Sequence, residues 1–256
     1  MGPAALKNLL NAIAFLTRVP VAANVTGPND LARSVPWFPI VGAIVGLIIG
    51  VVALSAGFLL PPFVAAAVAV GIGILITGAF HEDGLADTFD ALGGSFTRER
   101  ALEILRDPRL GTFGTIALVI ALLIRIAAIA SILPGSEILL VLAGAHALAR
   151  SSSVAVMAAM TAVRTEGLGA DYLSALDRRR AIVGSLAGAV IAVMLLGPAA
   201  IPAIPAAALG AGLIARWARA RIEGVTGDVL GACAMAAETV VLVVLSAHSN
   251  RVLIGW

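Results

Sequence analysis

The chain has 256 residues, of which 60% are hydrophobic and only 12% charged, and its formal net charge is +2. Soluble domains carry about 25% charged residues, and a soluble protein of this make-up would expose large apolar patches. The composition therefore excludes an ordinary soluble domain and points to a bilayer as solvent. The small net charge, with no basic run on a soluble element, excludes nucleic acid as a partner. The lone Cys233 has no intrachain disulfide partner, which fits a reducing compartment.

The opening MGPAALKNLLNAIAFLTRVPV is apolar, holds one lysine and lacks an Ala-x-Ala cleavage pattern. It predicts a mature amphipathic or partly inserted helix rather than a cleaved signal. Met1-Gly2 opens like a myristoylation site, but Ala5 and Leu6 do not supply the later Ser or Thr. A membrane helix needs about 20 apolar residues. Runs at 38–60, 62–80, 115–134, 138–163, 181–197, 202–215 and 229–248 predict about seven spans, hence an all-α polytopic membrane protein forming one catalytic domain over 1–256. The 202–215 run is short and must borrow flanking residues, and 138–163 is long enough to be tilted or broken. Pro61-Pro62 and GPAAIPAIP make tight turns.

Of the seventeen basic residues, the segments before 38, at 81–114, at 164–180 and at 216–228 hold 3, 4, 4 and 3, and the turns near 61, 135 and 199 hold none. If the spans alternate in direction, all four basic segments share one side. That is the positive-inside pattern, so this side is expected to be cytoplasmic and the C-terminus outside. Gly42, Gly46 and Gly50, and likewise Gly184 and Gly188, lie four apart. Such rows allow close helix approach, within one chain or across a homodimer seam.

The stretch FHEDGLADTFDALGG, 80–94, gathers four carboxylates and a histidine. Asp83, Asp87 and Asp90 are spaced i, i+4, i+7 and fall within about 60° of one another on a helix. Glu82 lies beside that stripe, and Gly93-Gly94 ends the helix. Three like charges on one face repel, and a divalent cation offsets that. Mg²⁺ is typically held by one or two carboxylates plus substrate phosphates. The absence of a Cys/His set argues against zinc. A plain acidic helix end at the membrane surface is the alternative. The arginines that follow, Arg98, Arg100, Arg106 and Arg109, favour the site, because guanidiniums hold phosphate oxygens. His81 is either an acid/base or a hydrogen-bond partner. In TRERALEILRDPRLGTFG, Thr97 is expected to cap a short helix that Asp107-Pro108 ends. Gly111 and Gly114 allow the backbone to turn close to a ligand.

HEDGLADTFDALGG followed by RERALEILRDPRLGTFG resembles the cobalamin synthase family, the adenosylcobinamide-GDP ribazoletransferases. FLTRVPV at 15–21, WFPIVGAIVG at 37–46, VRTEGLGADY at 163–172 and GVTGDVLGA at 224–232 resemble further signatures in the same order, so the likeness runs from about 15 to 240. It implies a Mg²⁺-dependent enzyme of a prokaryotic cell (inner) membrane. Such an enzyme joins adenosylcobinamide-GDP to α-ribazole, or its 5′-phosphate, and releases GMP. It also implies that metal and phosphate chemistry falls on Glu82, Asp83, Asp87, Asp90 and Asp228, with Arg106 and Asp107 close by. Two positions depart: Pro108 stands where a serine is expected, and Ala234-Met235 stand where many relatives carry glutamines.

Thr226, Gly227 and Asp228 sit at the mouth of the last span. Asp228 is either part of the metal shell or the N-cap of helix 229–248. Glu238 lies about ten residues inside that span, where an acid is functional or paired. Arg125 and Arg150 are its candidate partners, and His146 shares a face with Arg150; structural pairing is expected over substrate contact. Arg164 and Glu166 in RTEGLG are candidate substrate contacts at the rim. Arg178–Arg180, with Arg216, Arg219 and Arg221, read as topology anchors and lipid-phosphate contacts. In the expected reaction an acceptor ribose hydroxyl attacks in line and Glu82 or Asp228 takes its proton. A CDP-alcohol phosphotransferase-like enzyme is one rival, but its usual Ala-Arg pair after Asp-Gly is absent, since Leu85-Ala86-Asp87 follows Asp83-Gly84. A transporter is the other, and it would concentrate polar residues at mid-membrane rather than at the rim.

Overall fold

The computed structural model describes residues 2–163, 173 and 175–253, with side chains through 247. Arg164 and Glu166 lie outside the described residues. The described secondary structure is helical, apart from one bridge between Ala162 and Val225. The helices are α1 (Pro3–Leu16), α2 (Pro28–Ser34), α3 (Phe38–Gly57), α4 (Pro62–Thr77), α5 (Phe80–Gly93), α6 (Arg98–Ile104), α7 (Thr112–Ile132), α8 (Ile138–Ala159), α9 (Arg178–Leu196), α10 (Ala200–Ile222) and α11 (Gly227–Leu253).

Five stretches are long and apolar enough to cross a membrane: Pro28–Gly57, α7, α8, Arg178–Ile222 and Gly227–Ala247. The pair α4 and α5 is apolar enough only when taken together and is bent by 90°, as in a broken span or a re-entrant loop. The 45 residues of Arg178–Ile222 reach about 68 Å as helix, more than twice the ~30 Å hydrocarbon core. That stretch therefore crosses twice, turning at Gly197–Ala199. Side-chain contacts agree. The Ser151 hydroxyl of α8 donates to the Ser185 carbonyl of α9 (2.6 Å), and Leu196 lies against Gly144, so α9 runs antiparallel to α8. Gly210 of α10 lies against Ala236 of α11. With α9 and α10 as separate crossings the five stretches make six passages, and the bent α4–α5 pair, a broken span or a re-entrant loop, lies beside them, which agrees with an all-α polytopic membrane protein.

Two expected spans change shape. The 62–80 run stops at Thr77, because Gly78 (φ +66°) and Ala79 (φ +59°) both adopt left-handed backbone. The Arg18 N–H takes the freed Ile76 carbonyl at 2.7 Å, and α5 leaves at right angles. The 138–163 run ends at Ala159 and is of ordinary length.

The centre of the bundle is α8, whose best apolar window is 72% buried against 28% for α7. It is flanked by α3, α9 and α11. Both glycine rows are used inside the chain. A Cβ at Gly42 would lie 2.6 Å from the His146 carbonyl oxygen, one at Gly46 would strike the Leu142 carbonyl, and one at Gly50 would lie 2.9 Å from the Leu139 Cα. Gly184 and Gly188 take Pro36 and Pro39 in the same way. Backbone thus meets backbone, the geometry that favours helix association where no hydrophobic effect acts between helices.

Gly46→Leu is expected to cost about 3 kcal/mol or more by forcing α3 off α8. Gly212→Ala, at a position where an added Cβ meets nothing within 4 Å, should change stability by less than about 1 kcal/mol. Unfolding of the detergent-solubilised protein checks both.

Candidate active site

Helix α5 carries the acidic motif, and two neighbouring helices, α11 and α7, fix its orientation. Gly84 lies against the Asp228 backbone, 2.7 Å from its carbonyl oxygen to a would-be Cβ, and Gly231 of α11 lies against His81 and Gly84. The two helices thus run antiparallel, with the head of α11 beside the middle of α5. Asp90 turns the other way. Its Oδ2 accepts from the Gly111 N–H (2.7 Å) and its Oδ1 from the Gly114 N–H (2.8 Å). A carboxylate there satisfies otherwise bare amides and complements the positive end of the α7 dipole. Glu82 turns inward, where Arg125 donates to its Oε1 at 3.1 Å.

The predicted aspartate stripe is therefore divided. Asp90 and Glu82 are buried and committed to α7, while Asp83 is exposed and Asp87 half-buried. Asp228 is half-buried at the head of α11. Among the described residues no three His, Cys, Asp or Glu side chains converge closely enough to hold a metal ion. The reason is that bare amides and a buried guanidinium compete for two of the acids. Neither partner is visible in the spacing of the motif.

The Thr226 hydroxyl accepts from the Val229 N–H (3.4 Å) and donates to the Asp228 carboxylate (3.2 Å). Thr226, rather than Asp228, is thus the cap of α11. Downstream, Thr97 caps α6 by accepting from the Arg100 N–H, as expected. Arg98 lies 3.5 Å from the Glu223 carboxylate and Arg100 pairs with Glu103. Arg109 forks onto Asp107 (2.9 and 2.6 Å), and the Arg109 hydrogen bonds pull the Asp107 carboxyl down to about 2. Arg106 is exposed. Arg221 donates to the Ser95 carbonyl (3.2 Å), which brings the tail of α10 to the same end of the bundle.

Below this rim lies a buried ionic network. Glu238 of α11 pairs with Arg125 of α7 (2.6 Å) and Arg150 of α8 (2.7 Å), and His146 lies 3.4 Å from the same oxygen as Arg150. The second arm of Arg125 holds Glu82, and that of Arg150 lies 3.4 Å from His81 Nδ1. The pairing of Glu238, Arg125, Arg150 and His146 follows the sequence expectation. That Glu82 and His81 join it does not, because nothing in HEDG marks which side of the helix turns inward. Two carboxylates meet two guanidiniums, so the net charge cancels in a site where no ion-paired side chain is more than 11% exposed. Met235, at a departing position, places its sulfur 3.8 Å from Arg125 as a weak acceptor. Ala234, the other, lines a narrow cleft with Phe15, Phe80, His81, Arg150 and Gly227 that leads from the rim to the network.

Glu238→Gln leaves two buried guanidiniums with one carboxylate, and should cost about 3–5 kcal/mol. Adding Arg150→Gln restores neutrality and should recover part of that loss, a coupling that a double-mutant cycle reads. Asp90→Ala should cost about 1–2 kcal/mol through the lost α7 amide partners, and Asp90→Asn less, because one acceptor oxygen remains.

A family model described as cobalamin-5-phosphate synthase matches residues 8–246. An adenosylcobinamide-GDP ribazoletransferase of Bradyrhizobium diazoefficiens is 38% identical over 245 residues, covering 94% of each chain. One of Shewanella amazonensis is 36% identical over 246 residues, covering 94% of this chain and 95% of the relative. One of Klebsiella pneumoniae is 35% identical over 251 residues, covering 94% and 99%. No solved structure matches this chain. With the match spanning nearly every described helix, the chain belongs to the cobalamin-5-phosphate synthase family.

Proposed function

We propose that this chain transfers the adenosylcobinamide phosphate of adenosylcobinamide-GDP to a hydroxyl of α-ribazole or its 5′-phosphate, releasing GMP, at the cytoplasmic face of a prokaryotic cell (inner) membrane. The reading rests on membership of a family whose relatives bear that name. The single structural observation that carries it is the rim where α5, bearing Asp83 and Asp87, packs through Gly84 against the Asp228 backbone at the head of α11, beside the arginine loop. The lipid-enzyme and transporter readings have no comparable support.

The donor set at that rim suits Mg²⁺, which takes few protein carboxylates when substrate phosphates complete its shell. Asp83, Asp87 and Asp228 stand at that rim, and one or two of them, with substrate phosphates, would hold it. A bound Mg²⁺ supplies charge neutralisation on the diphosphate. Arg106, with Arg98 and Arg109 once they release Glu223 and Asp107, donates hydrogen bonds to the phosphate oxygens. The acceptor hydroxyl forms a bond to the phosphorus that carries the cobinamide, the bond from that phosphorus to GMP breaks, and GMP leaves with its electron pair. The hydroxyl proton passes to a carboxylate. We assign that role to Asp228 at the head of α11; Glu82 is turned into the ionic network by Arg125. The lower face of α5 holds no reacting group; through Glu82 and His81 it fixes the pose of the aspartates above.

Asp83→Asn and Asp87→Asn should each slow GMP release at least about a hundredfold with the unfolding midpoint unchanged, and release should require both α-ribazole and Mg²⁺. A wild-type rate in Asp83→Asn would refute the assignment. Glu82→Gln should differ in kind, losing stability along with rate.

A further inference from the structure

A second opening, of about 780 Å³, lies at the other end of α1, between α1, α2, Trp37 and the head of α9. No acidic residue of α5 or α11 lines it. Its polar lining comes from distant parts of the chain: Lys7, Arg33, Arg179 and Arg180 set against Asp30 and Asp177.

Both carboxylates are already engaged. Asp30 accepts from the Thr26 hydroxyl (2.6 Å) and N–H (3.1 Å) and from Lys7 (2.9 Å). Asp177 accepts from the Arg179 N–H (2.9 Å) as the cap of α9 and lies 3.4 Å from the Arg180 guanidinium. Among the described residues the side chains of Arg33 and Arg179 meet no carboxylate. Two guanidiniums from separate elements thus face one cleft, with an indole on its wall.

The lower edge of the cleft is apolar. Val183 lines it and begins an exposed stripe down α9 with Leu186 and Val190, at 59%, 61% and 57% exposure. Cations and an indole above a run of bare aliphatic side chains match a phospholipid in cross-section, head at the boundary and chains below. A free phosphate would use only the upper half.

We propose that this cleft seats the phosphate head of an anionic phospholipid, with its acyl chains lying along the exposed stripe of α9. Arg33 and Arg179 donate to the phosphodiester oxygens, and Trp37 packs against the glycerol region. The run of three arginines by itself reads as a topology anchor. The fold adds Arg33, Lys7 and Trp37, and with them the shape of a site.

The test uses the full chain carrying Trp217→Phe and Trp256→Phe, which leaves Trp37 as the sole survivor of the three tryptophans. In nanodiscs, bromine-labelled phosphatidylglycerol should quench Trp37 more strongly than bromine-labelled phosphatidylcholine. Arg33→Gln with Arg179→Gln, both exposed positions, should weaken that preference about thirtyfold at ~1 kcal/mol per lost cation. Equal quenching by the two lipids overturns the proposal. So does an unchanged preference in the double variant. Displacement of the labelled lipid by millimolar inorganic phosphate alone overturns it as well, by assigning the cleft to a soluble anion.

Discussion

One carboxylate, Glu238, sits 1% exposed inside a bundle whose outer surface faces lipid, and it takes one guanidinium on each oxygen. An isolated charge at that depth is prohibitively costly, and a single ion pair hardly less so unless its remaining donors find partners. The bundle meets that constraint by extending the pair into a chain. Arg125 goes on to Glu82 and Arg150 to His81. Each end of the chain lands on α5, so the cost of burying Glu238 is offset only when α5 is in place. Four helices are thereby tied by electrostatics rather than by shape alone.

The consequence for the acidic motif is a division of labour by direction. An α-helix presents consecutive residues 100° apart, so fixing Glu82 inward necessarily points Asp83 elsewhere. With Asp90 drawn onto the amides that open α7, the ends of α5 are pinned, and Asp83 is left on its exposed face with Asp87 half-buried one turn further on. Gly84 completes the arrangement: with no side chain, it lets the Asp228 backbone come close enough for the two acidic segments to share a rim. The left-handed pair Gly78 and Ala79 frees α5 from the axis of α4 so that it can meet α7 and α11 at once.

The same logic governs the close contacts around α8. In a bilayer, burying an aliphatic side chain between helices gains little over leaving it in lipid. The glycines of α3 and α9 therefore act by bringing backbones together, and Pro36 and Pro39 fill what space remains on the α9 side. The rigidity gained there is what holds Arg150, one helix away, at hydrogen-bonding range of Glu238.

Hydropathy made the membrane-crossing helices legible, because the solvent acts on every residue of a span alike. The acidic motif, the arginine loop and the ionisable residues at 125, 146, 150 and 238 were equally plain, since each is costly in its setting and so stands out. What the sequence alone could not decide was which acid faces which partner. Glu82 and Asp83 are adjacent and chemically alike, and no pattern within the motif says that one meets an arginine 43 positions away while the other is exposed at the rim. Nor does Arg33 signal that it will stand beside Arg179. Those choices depend on helix rotation and on contacts between distant segments. Packing and electrostatics settle them only once all the helices are assembled.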